Sequence, residues 1–78
     1  MSDTRPPTFG EKAVGLTFNP SNEPTVDMIK RDFAIIIDKL DIWRRTAASD
    51  EMRRMLSLAI TEAQTAQMWA VKAVTWKD

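Results

Sequence analysis

Apolar residues recur at helical spacing through the second half of the chain, from Ser49 to Trp76. One narrow seam advances in steps of three and four residues, and its members are Leu56, Ala59, Ala63, Ala66, Ala70 and Ala73. Other apolar side chains lie off this seam, namely Leu58, Ile60, Met68, Trp69, Val71 and Trp76. A helix that is apolar on several sides must be buried on several sides. The pattern therefore predicts a long helix, ending at about Thr75, with more apolar surface than one partner helix covers.

A second periodic stretch precedes this helix and extends from about Pro24 to Thr46. Its apolar residues form a heptad seam, which consists of Val26, Ile29, Phe33, Ile36, Leu40 and Trp43. Three isoleucines fall outside that seam, at Ile35, Ile37 and Ile42. Pro24 suits a first helical turn, and either Ser21 or Asn22 is expected to be the N-cap residue. The stretch predicts another long helix with extra apolar surface.

The two long helices are separated only by residues 47–50, and Ser49 is a suitable N-cap for the second. So short a connection predicts an antiparallel helical hairpin. A helical turn is expected from Phe9 to Gly15, where glycine ends it. Residues 1–8 contain Pro6 and Pro7 and are predicted to be a disordered tail. The expected fold is all-α, a two-helix hairpin with a short N-terminal helix, in a single domain over residues 9–78.

A chain of 78 residues buries a small core and needs additional stabilisation. Cysteine and histidine are absent, so a disulfide framework is excluded and a transition-metal site is not expected. Self-association is then the remaining means of stabilising so small a chain. Apolar residues in excess of one hairpin's needs are therefore expected to meet a neighbouring chain, and these include Ile37, Ile60, Met68 and Trp69. The sequence predicts a homo-oligomer.

The charges balance, with 11 basic and 11 acidic residues. General DNA or RNA binding usually needs a basic excess, so neither nucleic acid is expected as a partner. No apolar run approaches the ~20 residues of a membrane span, and no membrane interaction is expected. The polar start of the chain does not resemble a signal peptide. The lack of cysteine fits a reducing cytoplasm.

The residue types also argue against catalysis. Histidine, cysteine and tyrosine are absent, which removes the commonest general base, the best nucleophile and a phenol donor. Several carboxylates lie on the first long helix, at Asp27, Asp32, Asp38 and Asp41, without the histidine partners of di-iron bundles. They are interpreted as a solvated charged face. We therefore predict no enzyme activity, no metal and no cofactor.

Two groups of residues remain candidates for ligand binding. The first is the string before the first long helix, Phe18, Asn19, Pro20 and Ser21, which could stack on and hydrogen-bond a base, or form a hydrophobic staple with an Asx turn. Lys30 is near enough to lend positive charge to a ligand held there. The second is Arg53 and Arg54, which could contact phosphate or pair with Asp50 and Glu51.

Three segments together resemble a known family. They are Phe18-Asn19-Pro20-Ser21, then Val26-Asp27-x-Ile29-Lys30, and finally residues 62–73 with the sequence EAQTAQMWAVKA. This combination resembles the small helical-hairpin sponges with which phages defeat the bacterial CBASS and Thoeris defences. The similarity extends over about residues 10–77.

The resemblance implies a protein that is not an enzyme. Members of that family bind cyclic oligonucleotide or cyclic ADP-ribose signals tightly, leave them intact, and so keep the defence effector inactive in the host bacterial cytoplasm. Compact members are hexamers of hairpins. They hold cyclic dinucleotides between two protomers and cyclic trinucleotides where three protomers meet.

The resemblance also implies roles for individual residues. Phe18 matches the aromatic residue that stacks on a base, although the family residue is often tyrosine with a basic neighbour rather than Asn19. Lys30 matches the lysine that contacts phosphate. Arg54, with Arg53 beside it, matches the arginine that serves the trinucleotide pocket. Asn19 and Ser21 are expected to make polar contacts, and the carboxylate of Asp32 would face a trinucleotide and repel its phosphates.

Two other classes of function remain open at this level. A structural or adaptor hairpin would use the same helices to bind a protein partner. A hydrolase of the signal would cleave the ligand, but the missing histidine, cysteine and tyrosine argue against it.

Overall fold

A computed structural model of the chain describes residues 5–78, and within that range it is all-helical. Helix α1 spans Phe9–Val14, α2 spans Pro24–Arg45 and α3 spans Asp50–Val74. Helices α2 and α3 pack along each other as a hairpin, while α1 packs mainly on α2. The predicted helical hairpin with a short N-terminal helix is thus confirmed, with helix ends within about a residue of those expected.

The ends of α1 are fixed by local hydrogen bonds. Thr8 and Glu11 form a capping box, in which each side chain accepts from the backbone N–H of the other. Gly15 ends the helix with φ of +63°, a left-handed conformation that glycine adopts at little cost. The predicted disordered tail begins at residues 1–4, which lie outside the described residues, and it stays a prediction.

The start of α2 corrects one expectation. The N-cap is Glu23, not Ser21 or Asn22, and it makes no side-chain cap hydrogen bond. Asn22 has φ of +56°, so the chain turns there and the helix starts after Glu23. Pro24 does occupy the first turn, and Ser49 caps α3 as predicted by accepting from the N–H of Met52 at 3.1 Å. 

The core joins all three helices, and its buried apolar members are Val14, Ala34, Ile37 and Ile60. The predicted heptad seam of α2 is therefore only partly right. Ile36 and Trp43 of that seam are about half exposed, whereas the buried face of α2 consists of Val26, Lys30, Ala34, Ile37 and Asp41. The expectation that Ile37 and Ile60 meet a neighbouring chain is wrong, because both are already buried in the core that the three helices of one chain form.

The alanine seam of α3 is likewise displaced from the buried face. Ala66 and Ala73 are exposed, and Ala59, Ala63 and Ala70 are half-buried. The buried residues of α3 are instead Ile60 and Gln67. Small side chains do not mark the packed face here, because larger residues on the adjacent stripe fill the space against α1 and α2.

The crossing of α1 over α2 depends on Gly10. A Cβ atom at Gly10 would lie 2.2 Å from the carbonyl oxygen of Ala34, well inside contact distance. The N–H of Gly10 donates to Oδ1 of Asp38 at 2.7 Å. Asp38 therefore binds the first turn of α1, which otherwise has free N–H groups, and it is not part of a simple solvated face.

Gly10→Ala is expected to lower the free energy of unfolding by about 1–3 kcal/mol, the usual cost of forcing an extra methyl into a packed contact. Urea denaturation at a fixed protein concentration would measure this change. Lys12→Ala is the control, since it also introduces alanine into α1 but at an exposed position. Equal denaturation midpoints for the two variants would contradict the close crossing.

Both long helices carry apolar side chains that the hairpin leaves exposed. The molecule measures 44 × 35 × 13 Å along its principal axes, so it is flat. At about 100° per residue, the exposed side chains lie opposite the buried faces. We call Met28, Ile35, Ile36, Ile42 and Trp43 the α2 stripe. The α3 stripe is Met55, Leu58 and Trp69, together with Trp76 just beyond the end of α3. Each of these residues is 48–65 % exposed.

Contiguous exposed apolar surface is typical of sites where proteins interact. Within residues 5–78, no helix combines the length and the apolar character needed to cross a bilayer.

Candidate functional site

Lys30 organises the loop that connects α1 to α2. Its side chain projects from the buried face of α2 and is only 5 % exposed. The ammonium donates hydrogen bonds to the carbonyl oxygens of Gly15, at 2.9 Å, and of Phe18. Phe18 N–H also donates to Gly15 O at 2.9 Å, which closes a tight turn. A buried ammonium needs such partners, because burial without them is costly. The cation and the turn therefore stabilise each other.

Phe18 is held out from this turn. Its side chain is 70 % exposed, although the Nζ of Lys30 lies only 5.5 Å from the ring centroid. That distance is within the range of a cation–π interaction. The structure therefore presents an aromatic ring on an anchored backbone, and it contradicts the hydrophobic staple, in which the ring would be packed away.

The polar residues of the predicted string bond to one another and to the start of α2. Asn19 Nδ2 donates to Glu23 O at 3.0 Å and to Asp27 Oδ1 at 3.1 Å. Ser21 Oγ donates to Asn19 Oδ1 at 2.8 Å and accepts from Glu23 N–H. Pro20 is exposed between them. Asn19 and Ser21 thus build the local turn, and their predicted contacts with a ligand stay a prediction.

An open groove of about 800 Å³ lies beside this loop, between α1 and the first turns of α2. Its charged lining residues are Arg5, Glu11, Lys12, Asp27 and Arg31. Its remaining lining comes from the loop and the N-terminal segment, namely Pro7, Gly15, Leu16, Thr17, Asn19 and Asn22. The volume is typical of small-molecule sites, which span about 300–1,000 Å³. This groove could not be predicted from the sequence, because packing of α1 on α2 brings together residues far apart in the chain.

Arg53 and Arg54 lie at the start of α3, at the opposite end of the hairpin from Phe18. Arg54 binds Glu51 through two hydrogen bonds, with Nε at 2.7 Å and Nη2 at 2.9 Å from the carboxylate oxygens. This pairing lowers the pKa of Glu51 and raises that of Arg54. Arg53 donates to Asp50 at 2.6 Å and to the carbonyl of Ala47.

The predicted site residues therefore form two groups. Phe18, Asn19, Pro20, Ser21 and Lys30 share one loop and its anchor, while Arg53 and Arg54 are far from it. The pairing of both arginines with acidic residues of their own helix fits the structural alternative, and their contact with phosphate stays a prediction.

The acidic residues of α2 have mostly structural partners, contrary to the predicted solvated face. Asp41 is buried and binds both Arg44, at 2.7 Å, and Arg45, at 3.0 Å. Asp32, in contrast, is exposed. In the part of the chain that the structure describes, no group of three or more acidic residues has the arrangement of a metal site.

Lys72 lies between two exposed tryptophans of the α3 stripe. Its Nζ is 5.2 Å from the ring centroid of Trp69 and 5.9 Å from that of Trp76. Both rings are more than 60 % exposed, so neither belongs to the core of the single chain. Packing of these rings in an interface between chains stays a prediction.

Comparison with protein-family models matches most of the chain. Residues 11–75 match the Acb2/Tad1 hairpin domain, a span that includes the loop with Phe18 and both long helices. Neither the curated proteins nor the solved structures contain a significant match to the chain.

Proposed function

The chain belongs to the Acb2/Tad1 hairpin-domain family, and from this premise we propose that it captures cyclic dinucleotides in pockets formed where two copies meet. At family level, membership implies a phage anti-defence protein that sequesters a cyclic nucleotide signal, and such proteins are not enzymes. Capture keeps the signal from activating a CBASS or Thoeris effector in the host cytoplasm. Cyclic trinucleotides and cyclic ADP-ribose isomers are further ligands to test.

The observation that carries the proposal is the exposed ring of Phe18 on a loop that Lys30 holds in place. Stacking on an aromatic ring contributes about 1–3 kcal/mol per base. A ring whose backbone is already fixed loses little freedom on binding, which favours tight capture. The positive charge of Lys30, 5.5 Å from the ring centroid, supports binding of an anionic ligand at this position.

The α2 and α3 stripes support self-association. We propose a homohexamer in which these stripes meet copies of themselves, because that buries apolar surface for which one chain offers no cover. A twofold contact presents Phe18 and Lys30 twice. A cyclic dinucleotide has two bases and two phosphates, so a twofold pocket matches its two-part structure.

Calorimetric titration with cyclic di-AMP, cyclic di-GMP, cyclic trinucleotides and cyclic ADP-ribose isomers would test the proposal. We expect tight binding of at least one cyclic dinucleotide, and chromatography of the released ligand should recover it intact. Absence of heat with every ligand, or recovery of cleaved ligand, would contradict the proposal. A protein partner recovered by pull-down, with no nucleotide bound, would support the adaptor alternative instead.

Arg54, with Arg53 beside it, is proposed to serve a second pocket for cyclic trinucleotides. Its distance from the Phe18 loop supports a separate site, and its guanidinium matches the geometry of phosphate oxygens. Glu51 now holds that guanidinium, so a trinucleotide has to compete with this carboxylate. Asp32 lies on the exposed face of α2 and opposes the binding of anions there.

Arg54→Ala is expected to weaken binding of cyclic trinucleotides about 10- to 100-fold, which is the usual effect of losing charge-assisted hydrogen bonds. Binding of cyclic dinucleotides should not change. The variant should also raise the pKa of Glu51 to its ordinary range, which NMR titration of the carboxyl carbon would show.

Arg54→Ala should leave the thermal midpoint near that of the wild type, because exposed ion pairs contribute little to stability. Pairing lowers the pKa of Glu51 in the folded state, so any contribution is present at neutral pH and is lost as the pH falls through that lowered value. If Arg54→Ala weakened the binding of cyclic dinucleotides and cyclic trinucleotides equally, that result would contradict two separate pockets.

A further inference from the structure

Two charged residues lie in the middle of the otherwise apolar α2 stripe. Asp32 and Lys39 are both exposed, and at about 100° per residue they project from the same side of α2 as Ile35 and Ile36. In the part of the chain that the structure describes, neither charged side chain makes a hydrogen bond or an ion pair. The two lie about 10 Å apart along the helix, outside the three- and four-residue spacings at which helical side chains pair. Both charges are therefore left without a partner in the single chain.

The neighbours of both charges on the helix surface are apolar. Residues three and four positions away are the ones that a helical side chain contacts. Around Asp32 they are Met28, Ile29, Ile35 and Ile36, and around Lys39 they are Ile35, Ile36, Ile42 and Trp43. An ionised group in such surroundings is costly to bury without an opposite charge. A molecule that covers the α2 stripe therefore has to bring a base to Asp32 and an acid to Lys39.

The order of these residues is symmetric about the midpoint between Ile35 and Ile36. In each direction from that point come an isoleucine, then a charge three residues beyond it, and then an apolar pair. The apolar pairs are Met28 with Ile29 and Ile42 with Trp43. The two charges have opposite signs. If a second α2 is turned end for end about the midpoint, apolar residues meet apolar residues and each acid meets a base.

We infer that two copies pack their α2 helices antiparallel about a twofold axis between Ile35 and Ile36, with Asp32 of each chain paired to Lys39 of the partner subunit. This inference rests on the self-association in the proposed function and gives its α2 contact a direction and a register. A twofold contact is reciprocal, so it forms the ion pair twice. A parallel contact in the same register would place Asp32 against Asp32, and like charges set against each other across an interface are strongly unfavourable.

The antiparallel contact is separate from the one that brings two Phe18 loops together. Lys30 projects from the opposite, buried face of α2, and antiparallel helices put the two loops at opposite ends of the pair. A pocket with two copies of Phe18 therefore needs a second twofold contact. Two different twofold contacts that alternate can close into a ring with an even number of chains, a hexamer among them. In a closed ring each contact raises the effective concentration for the other, so loss of the α2 contact also weakens the pockets.

Charge reversal tests the ion pairs. In Asp32→Lys a lysine faces a lysine at both places in the contact, and in Lys39→Asp an aspartate faces an aspartate. Each substitution is expected to raise the dissociation constant of the assembly about 100-fold or more. Sedimentation equilibrium should give each variant a lower mass than the wild type at the same concentration, and circular dichroism should show the same helix content.

Mixing the two variants gives the sharper result. A contact between one Asp32→Lys chain and one Lys39→Asp chain has opposite charges at both places, so the mass should return to that of the wild type. A folding defect in either variant would not be corrected by the other chain. Lys12→Asp is the matched control, because it makes the same charge change at an exposed position of α1 and should assemble as the wild type does. A wild-type mass for both single variants, or no recovery on mixing, would overturn the inference.

Disulfide cross-linking tests the direction of the helices, because the chain has no cysteine of its own. In the antiparallel pair, Met28 of one copy lies beside Ile42 of the partner subunit, whereas the two copies of either residue are about 20 Å apart. A disulfide joins Cα atoms at most about 7 Å apart. Oxidation should therefore link chains in a mixture of Met28→Cys and Ile42→Cys, and in neither variant alone. Linkage within one variant alone would indicate parallel helices and overturn the inference.

The outcomes separate this inference from the proposed function. If the wild type is a monomer and binds no cyclic dinucleotide, the proposed function fails. If the wild type assembles and binds a cyclic dinucleotide, while both charge-reversal variants keep its mass, only the inference is overturned.

Discussion

Phe18→Ala is expected to cause the largest loss of ligand affinity of any single substitution in the loop. Stacking contributes about 1–3 kcal/mol per base, and a twofold pocket loses two rings at once. The combined loss of about 2–6 kcal/mol corresponds to a dissociation constant about 30- to 20,000-fold larger. The ring is 70 % exposed in the single chain, so its removal should leave the fold unchanged. Calorimetric titration and circular dichroism would measure the two effects.

Two control variants make this result specific. Phe18→Tyr keeps an aromatic face and should bind within a few-fold of the wild type. Phe9→Ala makes the same truncation on α1, away from the loop, and should retain ligand affinity. Unchanged binding by Phe18→Ala, or an equal loss in Phe9→Ala, would refute the assignment of the stacking residue.

The helix ends could be predicted from the sequence because their signals are local. Gly15, Pro24 and Ser49 each act within a few residues of the backbone that they start or stop. The N-cap of α2 was the exception. Ser21 and Asn22 are both good cap residues, but the left-handed conformation of Asn22 makes a turn there, and Glu23 becomes the cap. Which of several suitable residues becomes the cap depends on the path of the chain before it.

The buried face of α2 could not be chosen from periodicity alone. Its apolar residues form two stripes, one including Ile36 and the other including Ile37, and a helix-period pattern fits both. The choice depends on Gly10, which lets α1 approach Ala34 so closely that this side becomes the core. That contact joins residues 24 positions apart, and no local pattern encodes it.

The candidate site shows a similar limit. The sequence singled out Phe18 and Lys30 and indicated a positive charge close to an aromatic ring, as the structure has it. The sequence does not reveal that the Lys30 ammonium donates hydrogen bonds to the carbonyl oxygens of Gly15 and Phe18. A lysine among apolar positions has the same appearance in a sequence whether its ammonium faces a ligand or the backbone. The groove with Lys12 and Arg31 depends likewise on tertiary packing.

The second large effect is expected from a charge placed in the α2 stripe. Ile35 is 54 % exposed in the single chain, in the middle of this stripe. If the stripe is covered by a neighbouring copy, Ile35→Glu buries an unpaired carboxylate at every such contact. An unpaired buried charge costs several kcal/mol, and a symmetric assembly incurs that cost in each subunit. We therefore expect the variant to dissociate into smaller species and to lose binding at pockets shared between protomers, while helices persist.

Sedimentation equilibrium would give the mass of the Ile35→Glu variant and of the wild type, with circular dichroism to confirm that helices remain. Ile35→Leu is the matched control, because it keeps the side chain apolar with nearly the same volume and should assemble as the wild type does. A wild-type mass for Ile35→Glu would show that the α2 stripe is not the interface. A monomeric wild type that still binds a cyclic dinucleotide tightly would refute the shared pocket itself, since each site would then be complete in one chain.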